Sequence, residues 1–304
     1  MRQNEGAAPI RRAAPLPGRP VTTETLTLEE PTRSWRTRPG LALLLALLAL
    51  AGVLRAPGWV VPVFNSDESY LATQAEVINE GGRLYEDATD RKPPLVPYLY
   101  AITFRAFGTT ALWSVRLLAT VVVALTGWLL ALEAHRRWST RAAWLAGILW
   151  VCATVMFAPQ DGQAANFELF MLLPMTAGVL LAARRRPGAA GAAIALATLA
   201  KQTGAAALLP VGYLVLRNDG RRGVRRAALG FALPLLVVAL LVGPRDLLFW
   251  AVLGNGSYVG FDAASLYVVG MFALMTLAFV ALQAPLLFWL PSAWRDRDRR
   301  EAER

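Results

Sequence analysis

Two short polar segments carry the residue types that could do chemistry. Asp67 and Glu68 are neighbouring carboxylates just before a stretch with helical apolar spacing. Arg91 and Lys92 are neighbouring cations directly before a double proline. Carboxylates serve as acids and bases in catalysis, and cations stabilise negative charge on groups such as phosphate. Both segments lie within residues 65–110, so one stretch of chain has to present them.

The elements that must position these residues are strongly apolar. Of the 304 residues, 56% are hydrophobic and 17% are charged, whereas a soluble domain is about 45–50% apolar and about 25% charged. This composition excludes an ordinary cytosolic globule, and a single cysteine excludes a disulfide scaffold. Most of the apolar blocks approach the roughly 20 residues that a spanning helix needs, and they lie at 41–64, 111–134, 142–158, 167–183, 188–200, 204–216, 227–242 and 263–290.

The placement of positive charge predicts the topology. The net charge is +10, and cytoplasmic loops of membrane proteins carry the excess of Lys and Arg. Placing every basic cluster in the cytoplasm requires an even number of crossings between any two clusters. This parity excludes a crossing at 93–107 and splits 188–216 into two short helices that turn near Lys201. Because the arginines are spread over several loops instead of one face, nucleic acid is excluded as a partner.

We therefore predict an all-α, polytopic membrane protein with about eight transmembrane helices. It would lie in the plasma membrane with both termini in the cytoplasm. Residues 1–40 are predicted to be a disordered cytoplasmic tail, 41–290 the transmembrane domain and 291–304 a charged cytoplasmic tail. The run 41–64 is interpreted as a signal anchor, with cleavage after its alanine-rich part as the alternative.

The longest predicted outer loop, residues 65–110, contains two predicted amphipathic surface helices, at 68–79 and 95–107. The first gives both carboxylates a structural explanation, since Asp67 would cap it and Glu68 would favour its dipole. Lys92 would be held by the rigid proline backbone at the depth of lipid phosphates. Unselective snorkelling of this lysine to anionic headgroups is the alternative.

The order of these motifs resembles a known family, the integral-membrane glycosyltransferases of the GT-C superfamily. The likeness is to glycosyltransferase family 39, the dolichyl-phosphate-mannose-protein mannosyltransferases, with the aminoarabinose transferases and the RgtA/B/C/D-like relatives. It covers roughly residues 41–216 and rests on Asp67-Glu68, Gly81-Gly82, Arg91-Lys92-Pro93-Pro94-Leu95, Phe107-Gly108, Arg116-Leu117, Ala165-Asn166-Phe167-Glu168-Leu169-Phe170 and Ala200-Lys201-Gln202-Thr203-Gly204.

The resemblance implies transfer of a sugar from a polyprenyl-phosphate donor to an acceptor hydroxyl on a lipid, polymer or protein outside the cytoplasm, with inversion. It implies that Asp67 is the general base and that Glu68 supports it or helps to hold a divalent cation. Lys92 matches the phosphate-contacting lysine of the family. Arg91 is a second candidate for that contact, although some relatives have an acidic residue there.

The topology predicts three outer segments, at 65–110, 159–166 and 243–262, and three further candidate residues lie in or next to the outer segments. Lys201, between two short apolar helices, would bind the donor phosphate or reach membrane headgroups. Asp161 and Glu168, from the second outer loop, would contact the sugar or the acceptor. Arg116 is expected to pair structurally with an acidic residue of the first loop.

Two other functions stay open from the sequence. Relatives usually continue with more transmembrane helices, so we expect acceptor recognition to be missing or supplied by a partner subunit. A catalytically degenerate relative that acts as such a subunit is the first alternative. A transporter or lipid flippase is the second, although the internal repeats and mid-membrane polar groups of that class are not evident.

Overall fold

The computed structural model describes residues 38–156, 159–254 and, between 266 and 284, all but 268, 279, 282 and 283. Over these residues the chain is helical apart from turns, loops and one isolated bridge between Leu84 and Ala88. The all-α prediction is confirmed for this part of the chain. The tails predicted at 1–40 and 291–304 lie outside the described residues, except for 38–40, which begin the first helix.

The helices follow the apolar blocks of the sequence closely. In chain order they are α1 Arg38–Leu54, α2 Pro57–Val60, α3 Ser66–Asn79, α4 Leu95–Phe107, α5 Trp113–Arg137, α6 Thr140–Met156, α7 Pro159–Gln163, α8 Phe167–Ala183, α9 Pro187–Ala200, a 3₁₀ helix Gln202–Ala207, α10 Leu208–Val242 and α11 Pro244–Ala251. Residues Val269–Ala278 form a further apolar helix. The predicted surface helices at 68–79 and 95–107 exist as α3 and α4.

The structure differs from the prediction in where two segments are helical. The block 41–64 is not one helix, because α1 ends at Leu54 and Pro57 opens the short α2. Arg55, at this turn, is buried and donates to the carbonyls of Gly162, Gln163 and Ala164 at the end of α7. The basic segment 217–226, which the sequence predicts as a loop between the apolar blocks 204–216 and 227–242, is helical on both sides of Gly220, whose backbone (φ 60°, ψ −160°) interrupts α10. Glycine adopts such a conformation without steric cost.

The two halves of α10 fold back along α9. Val211 and Phe231 both pack into the cluster that contains Ile194 of α9, whereas a straight helix would separate them by about 30 Å. The backbones meet at glycine, because a Cβ on Gly191 would lie 1.9 Å from the carbonyl oxygen of Ala227. The predicted turn near Lys201 is confirmed, since α9 ends at Ala200 and the chain reverses through the 3₁₀ helix.

The polar contacts collect at the two ends of the helices. At one end, side chains of α3, α8 and the 3₁₀ helix meet the loops before α4 and α8. At the other end, Glu133 of α5 pairs with Arg136, Arg137 and Arg184. The segments predicted to face outward thus lie together, at the end opposite to these arginines.

Two helical runs among the described residues are long and apolar enough to cross a membrane. They are Trp113–Arg137, with 25 residues, and Gln202–Val242, with 41 residues. The other apolar helices have 10–17 residues, or at most about 25 Å at 1.5 Å per residue. The number of about eight crossings therefore stays a prediction.

The topology predicts opposite accessibility at the two ends of α5. On a Cys152→Ala background, a cysteine at Thr110 should react with a membrane-impermeant maleimide in intact cells, and one at Ser139 only in inverted vesicles. Both positions are exposed and lie just outside the ends of α5. Labelling of both sites from the same side would exclude α5 as a crossing, and labelling of Ser139 from outside alone would reverse the predicted orientation.

Candidate active site

The start of α3 carries the first residues of the candidate site, and its N-cap residue is not the predicted one. Asn65, not Asp67, is the N-cap residue, because its Oδ1 accepts a hydrogen bond from the Asp67 backbone N–H at 2.7 Å. The Asp67 side chain therefore serves another contact. Its Oδ2 accepts a hydrogen bond from Lys92 Nζ at 2.7 Å, with the two side chains 44% and 29% exposed. The two segments that the sequence singles out thus meet directly.

Lys92 ends a short strap, residues 89–92, whose backbone is anchored by side chains. The hydroxyl of Tyr70 donates to the Thr89 carbonyl, and that of Tyr85 donates to the Lys92 carbonyl at 2.8 Å. Lys92 Nζ also lies 4.3 Å from the ring centroid of Phe167, which is a cation–π contact. The ammonium group is therefore held between a carboxylate and an aromatic face.

The second outer loop supplies a matching arrangement. Lys201 forms an ion pair with Glu168, with the two side chains 26% and 49% exposed. Asn65 Nδ2 donates to Asp161 Oδ1 at 2.8 Å, so the cap of α3 is tied to α7. The predicted residues Asp67, Lys92, Asp161, Glu168 and Lys201 all belong to this one end of the fold.

A cavity of about 380 Å³ lies between these groups and the helices. Asp67, Asp161 and Glu168 form its acidic wall, and α6 and α8 supply an apolar wall through Trp150, Ala153, Leu169 and Leu172. Asn166 also lines it, is only 4% exposed, and has an Oδ1 without a hydrogen-bond partner among the described residues. The cavity therefore offers hydrogen-bond acceptors at one side and an apolar surface at the other.

Glu68 is placed away from this cavity, in a buried ion pair. Its Oε1 accepts from Arg116 Nε at 2.8 Å and its Oε2 from Arg116 Nη2 at 2.5 Å, with the side chains 0% and 3% exposed. Oε1 also accepts from the Ala165 backbone N–H at 2.7 Å. The predicted structural pairing of Arg116 is thus confirmed, and its partner is Glu68.

The predicted role of Glu68 at a divalent cation does not fit this arrangement, because both of its oxygens are already occupied by donors. The described part of the chain contains no group of three or more His, Cys, Asp or Glu side chains that could hold a metal ion.

Sequence reasoning missed three residues of the site. Asn65 precedes the acidic pair at the start of a helical pattern, so N-cap preference was the signal that could have found it. Gln202 donates to two backbone carbonyls at the site, and it stands in the motif that was singled out for Lys201. Asn166, the N-cap residue of α8, stands in the motif 165–170 on which the resemblance rests, although only Glu168 of that motif was named as a candidate.

A comparison with known families decides which family the chain belongs to. The sequence profile described as dolichyl-phosphate-mannose-protein mannosyltransferase matches residues 91–250, which is 160 of the 304 residues. The chain belongs to this family. Its members are membrane glycosyltransferases of the GT-C type. No curated protein and no solved structure matches the chain.

The family match covers only part of the candidate site. Lys92, Asp161, Glu168 and Lys201 lie inside the matched residues, whereas Asp67 and Glu68 precede them. The link from Asp67 to the family site is therefore its contact with Lys92.

The buried pair generates a prediction about stability. Arg116→Met should leave the Glu68 carboxylate buried without its counter-ion, which costs about 3–5 kcal/mol. The double variant Glu68→Gln/Arg116→Met removes both charges and should recover the part of this loss that comes from the unpaired carboxylate, but not the hydrogen bonds of Arg116 to the carbonyls of Gly58, Val61 and Pro62. Thermal unfolding of the purified protein in detergent measures both, and a double variant that is no more stable than Arg116→Met would contradict the assignment.

Asp90 belongs to the strap and is partly buried. Its Oδ2 has no hydrogen-bond partner among the described residues, and neither has the nearly fully buried amide of Gln74. Burial raises the pKa of the Asp90 carboxyl above its ordinary value of 3.8, while Gln74, Lys92 and the backbone N–H groups of Arg91 and Lys92 oppose the rise.

This shift predicts a pH-dependent cost at Asp90. The pKa of Asp90 is higher in the folded than in the unfolded protein. The contribution of Asp90 to folding stability is therefore greatest at pH values below its unfolded-state pKa, and it is lost as the pH rises through its folded-state pKa. Asp90→Asn should therefore raise the melting temperature at pH 7, with the difference shrinking towards pH 4. Melting curves at both pH values test this, and a variant less stable than the wild type at pH 7 would contradict it.

Proposed function

We propose that this protein transfers a sugar from a polyprenyl-phosphate donor to an acceptor hydroxyl on the extracytoplasmic face of the plasma membrane, with inversion at the anomeric carbon. The contact between Asp67 and Lys92 carries the proposal. A carboxylate and an ammonium group lie side by side there, and the carboxylate, Asp67, lines a cavity that also has an apolar wall.

The cavity walls suit the two ends of such a donor. The sugar would occupy the acidic side, where Asp161, Asn166 and Glu168 accept hydrogen bonds from its hydroxyl groups. The prenyl chain would follow the apolar side along α8. A second cavity of about 410 Å³, lined almost wholly by apolar side chains of α5, α8 and α10, shares Leu172 with the first. Leu172 would therefore contact the chain where it enters the membrane.

The two lysines are the ligands proposed for the phosphate. In the structure each is neutralised by a carboxylate, Lys92 by Asp67 and Lys201 by Glu168. An incoming phosphate presents a stronger set of charged acceptors and would take over the lysines. Arg91 lies beside them in the strap and is a further candidate ligand. Donor binding would thereby release the Asp67 carboxylate as a base.

The transfer step follows from this exchange. The acceptor hydroxyl attacks the anomeric carbon on the face opposite to the phosphate, and Asp67 takes its proton. The new carbon–oxygen bond forms as the bond to the phosphate oxygen breaks, and the electron pair stays on that oxygen. Lys92 and Lys201 stabilise the negative charge that develops there. The sugar therefore has to separate Asp67 from Lys92 when it binds.

The proposal predicts loss of transfer in two variants. Asp67→Asn removes the base and Lys92→Ala removes the phosphate ligand, and each should lower turnover at least about 100-fold. The measurement is release of polyprenyl phosphate from radiolabelled polyprenyl-phosphate mannose in proteoliposomes supplied with an envelope fraction as acceptor.

Matched controls lie on the same loop. Glu76→Gln neutralises an exposed acid of α3, and Arg83→Ala breaks an exposed ion pair with Glu86; both should retain turnover. Transfer at the wild-type rate by Asp67→Asn would remove the general-base assignment, and the same result for Lys92→Ala would remove the phosphate assignment.

A further inference from the structure

Gln202 connects three segments that are distant in sequence. Its side-chain Nε2 donates to the Arg91 carbonyl at 2.6 Å and to the Ala251 carbonyl at 3.0 Å. Arg91 belongs to the strap, Ala251 is the last residue of α11, and Gln202 itself begins the 3₁₀ helix. One amide group therefore joins the strap, the third outer segment and the turn after α9.

The planar geometry of the amide constrains the relative positions of the two carbonyl groups that it binds. A side-chain amide has two N–H donors on one planar nitrogen, and here both are directed at backbone carbonyls. The positions of these carbonyls are consequently fixed relative to each other.

The connected residues are the neighbours of the two phosphate-binding candidates. Gln202 directly follows Lys201, and Arg91 directly precedes Lys92. The hydrogen bond from Gln202 to Arg91 thus links the backbones that carry both lysines. The third outer segment also reaches the strap, since a Cβ built on Gly254 would lie 3.9 Å from Arg91 Cγ.

We propose that Gln202 is a positioning residue that sets the spacing of Lys92 and Lys201, so that both lysines contact the same phosphate of the donor. Through Ala251 it holds α11 against the same site. The proposal rests on the proposed function, because it names the residue that aligns the donor-phosphate ligands. Gln202 itself makes no contact with the reacting atoms.

The test removes the two donors while preserving side-chain size. Gln202→Met is neutral and nearly isosteric, and Gln202→Glu keeps the length and polarity of the side chain. The matched control is Asn79→Leu, because Asn79 Nδ2 donates to the Ala101 carbonyl at 3.0 Å between α3 and α4, away from the lysines. All three variants are compared with the wild type in nanodiscs.

Three readouts separate positioning from a general loss of structure. Both Gln202 variants should raise the KM for polyprenyl-phosphate mannose about tenfold and leave the KM for the acceptor fraction unchanged. The Kd for polyprenyl phosphate alone should rise by a similar factor. Amide hydrogen exchange should accelerate in both 84–94 and 244–251, and Asn79→Leu should change none of these quantities.

Each contrary result has a defined meaning. A wild-type donor KM and Kd in Gln202→Met, or the same changes in Asn79→Leu, would overturn the positioning role. A fall in kcat per total protein with both KM values unchanged would show a purely structural role and overturn it as well. If the wild type turns over no donor but binds polyprenyl phosphate in a Gln202-dependent manner, the proposed function fails and the positioning role stands.

Discussion

The site depends on one buried ion pair, that between Glu68 and Arg116. Arg116 also donates to the carbonyls of Gly58, Val61 and Pro62, and Glu68 accepts from the Ala165 backbone. The pair therefore joins the segment after α1, the start of α3, α5 and the second outer loop. Removing either partner would leave a buried charge, which is among the most costly changes in a protein interior. The outer loops are thus fixed to the helices at this ion pair, and the buried Arg55 adds a second attachment through the carbonyls of Gly162, Gln163 and Ala164.

Neutral amide side chains hold the segments that carry the candidate site residues. Asn65 caps α3 and donates to Asp161, and Gln202 donates to the strap and to α11. Because amides carry no charge, they join loops without altering the balance of carboxylates and lysines around the cavity. Tyr70 and Tyr85 act in the same way on the strap. The positions of the charged groups are therefore set by uncharged neighbours.

The sequence predicts the helices better than the contacts of the site. The α8 block and the turn at Lys201 follow from apolar length and flanking charge, which are local properties. The sequence predicts that α3 begins at Glu68 with Asp67 as its cap, whereas the helix begins two residues earlier, at Ser66, and Asn65 caps it. The apolar spacing of the sequence does not locate the start of a helix to within two residues. The partners of Glu68 and Gln202 are 48 and 111 residues away. Such pairings arise only when distant helices pack, so a single sequence carries little information about them.

The ion pairs differ in exposure: the pair that fixes the outer loops is buried, and the two lysine–carboxylate pairs are partly exposed. Glu68 and Arg116 are 0% and 3% exposed, whereas the side chains of the two lysine–carboxylate pairs are 26–49% exposed. Ion pairs in contact with water contribute only about 0–1 kcal/mol, so they can be exchanged at little cost. In the proposed function, a phosphate would displace a carboxylate from Lys92 or Lys201 at little cost, whereas the same exchange at Arg116 would leave the buried Glu68 carboxylate without its counter-ion. The two exposed pairs each contribute a carboxylate to the cavity lining, Asp67 and Glu168, and the buried pair lies outside that lining.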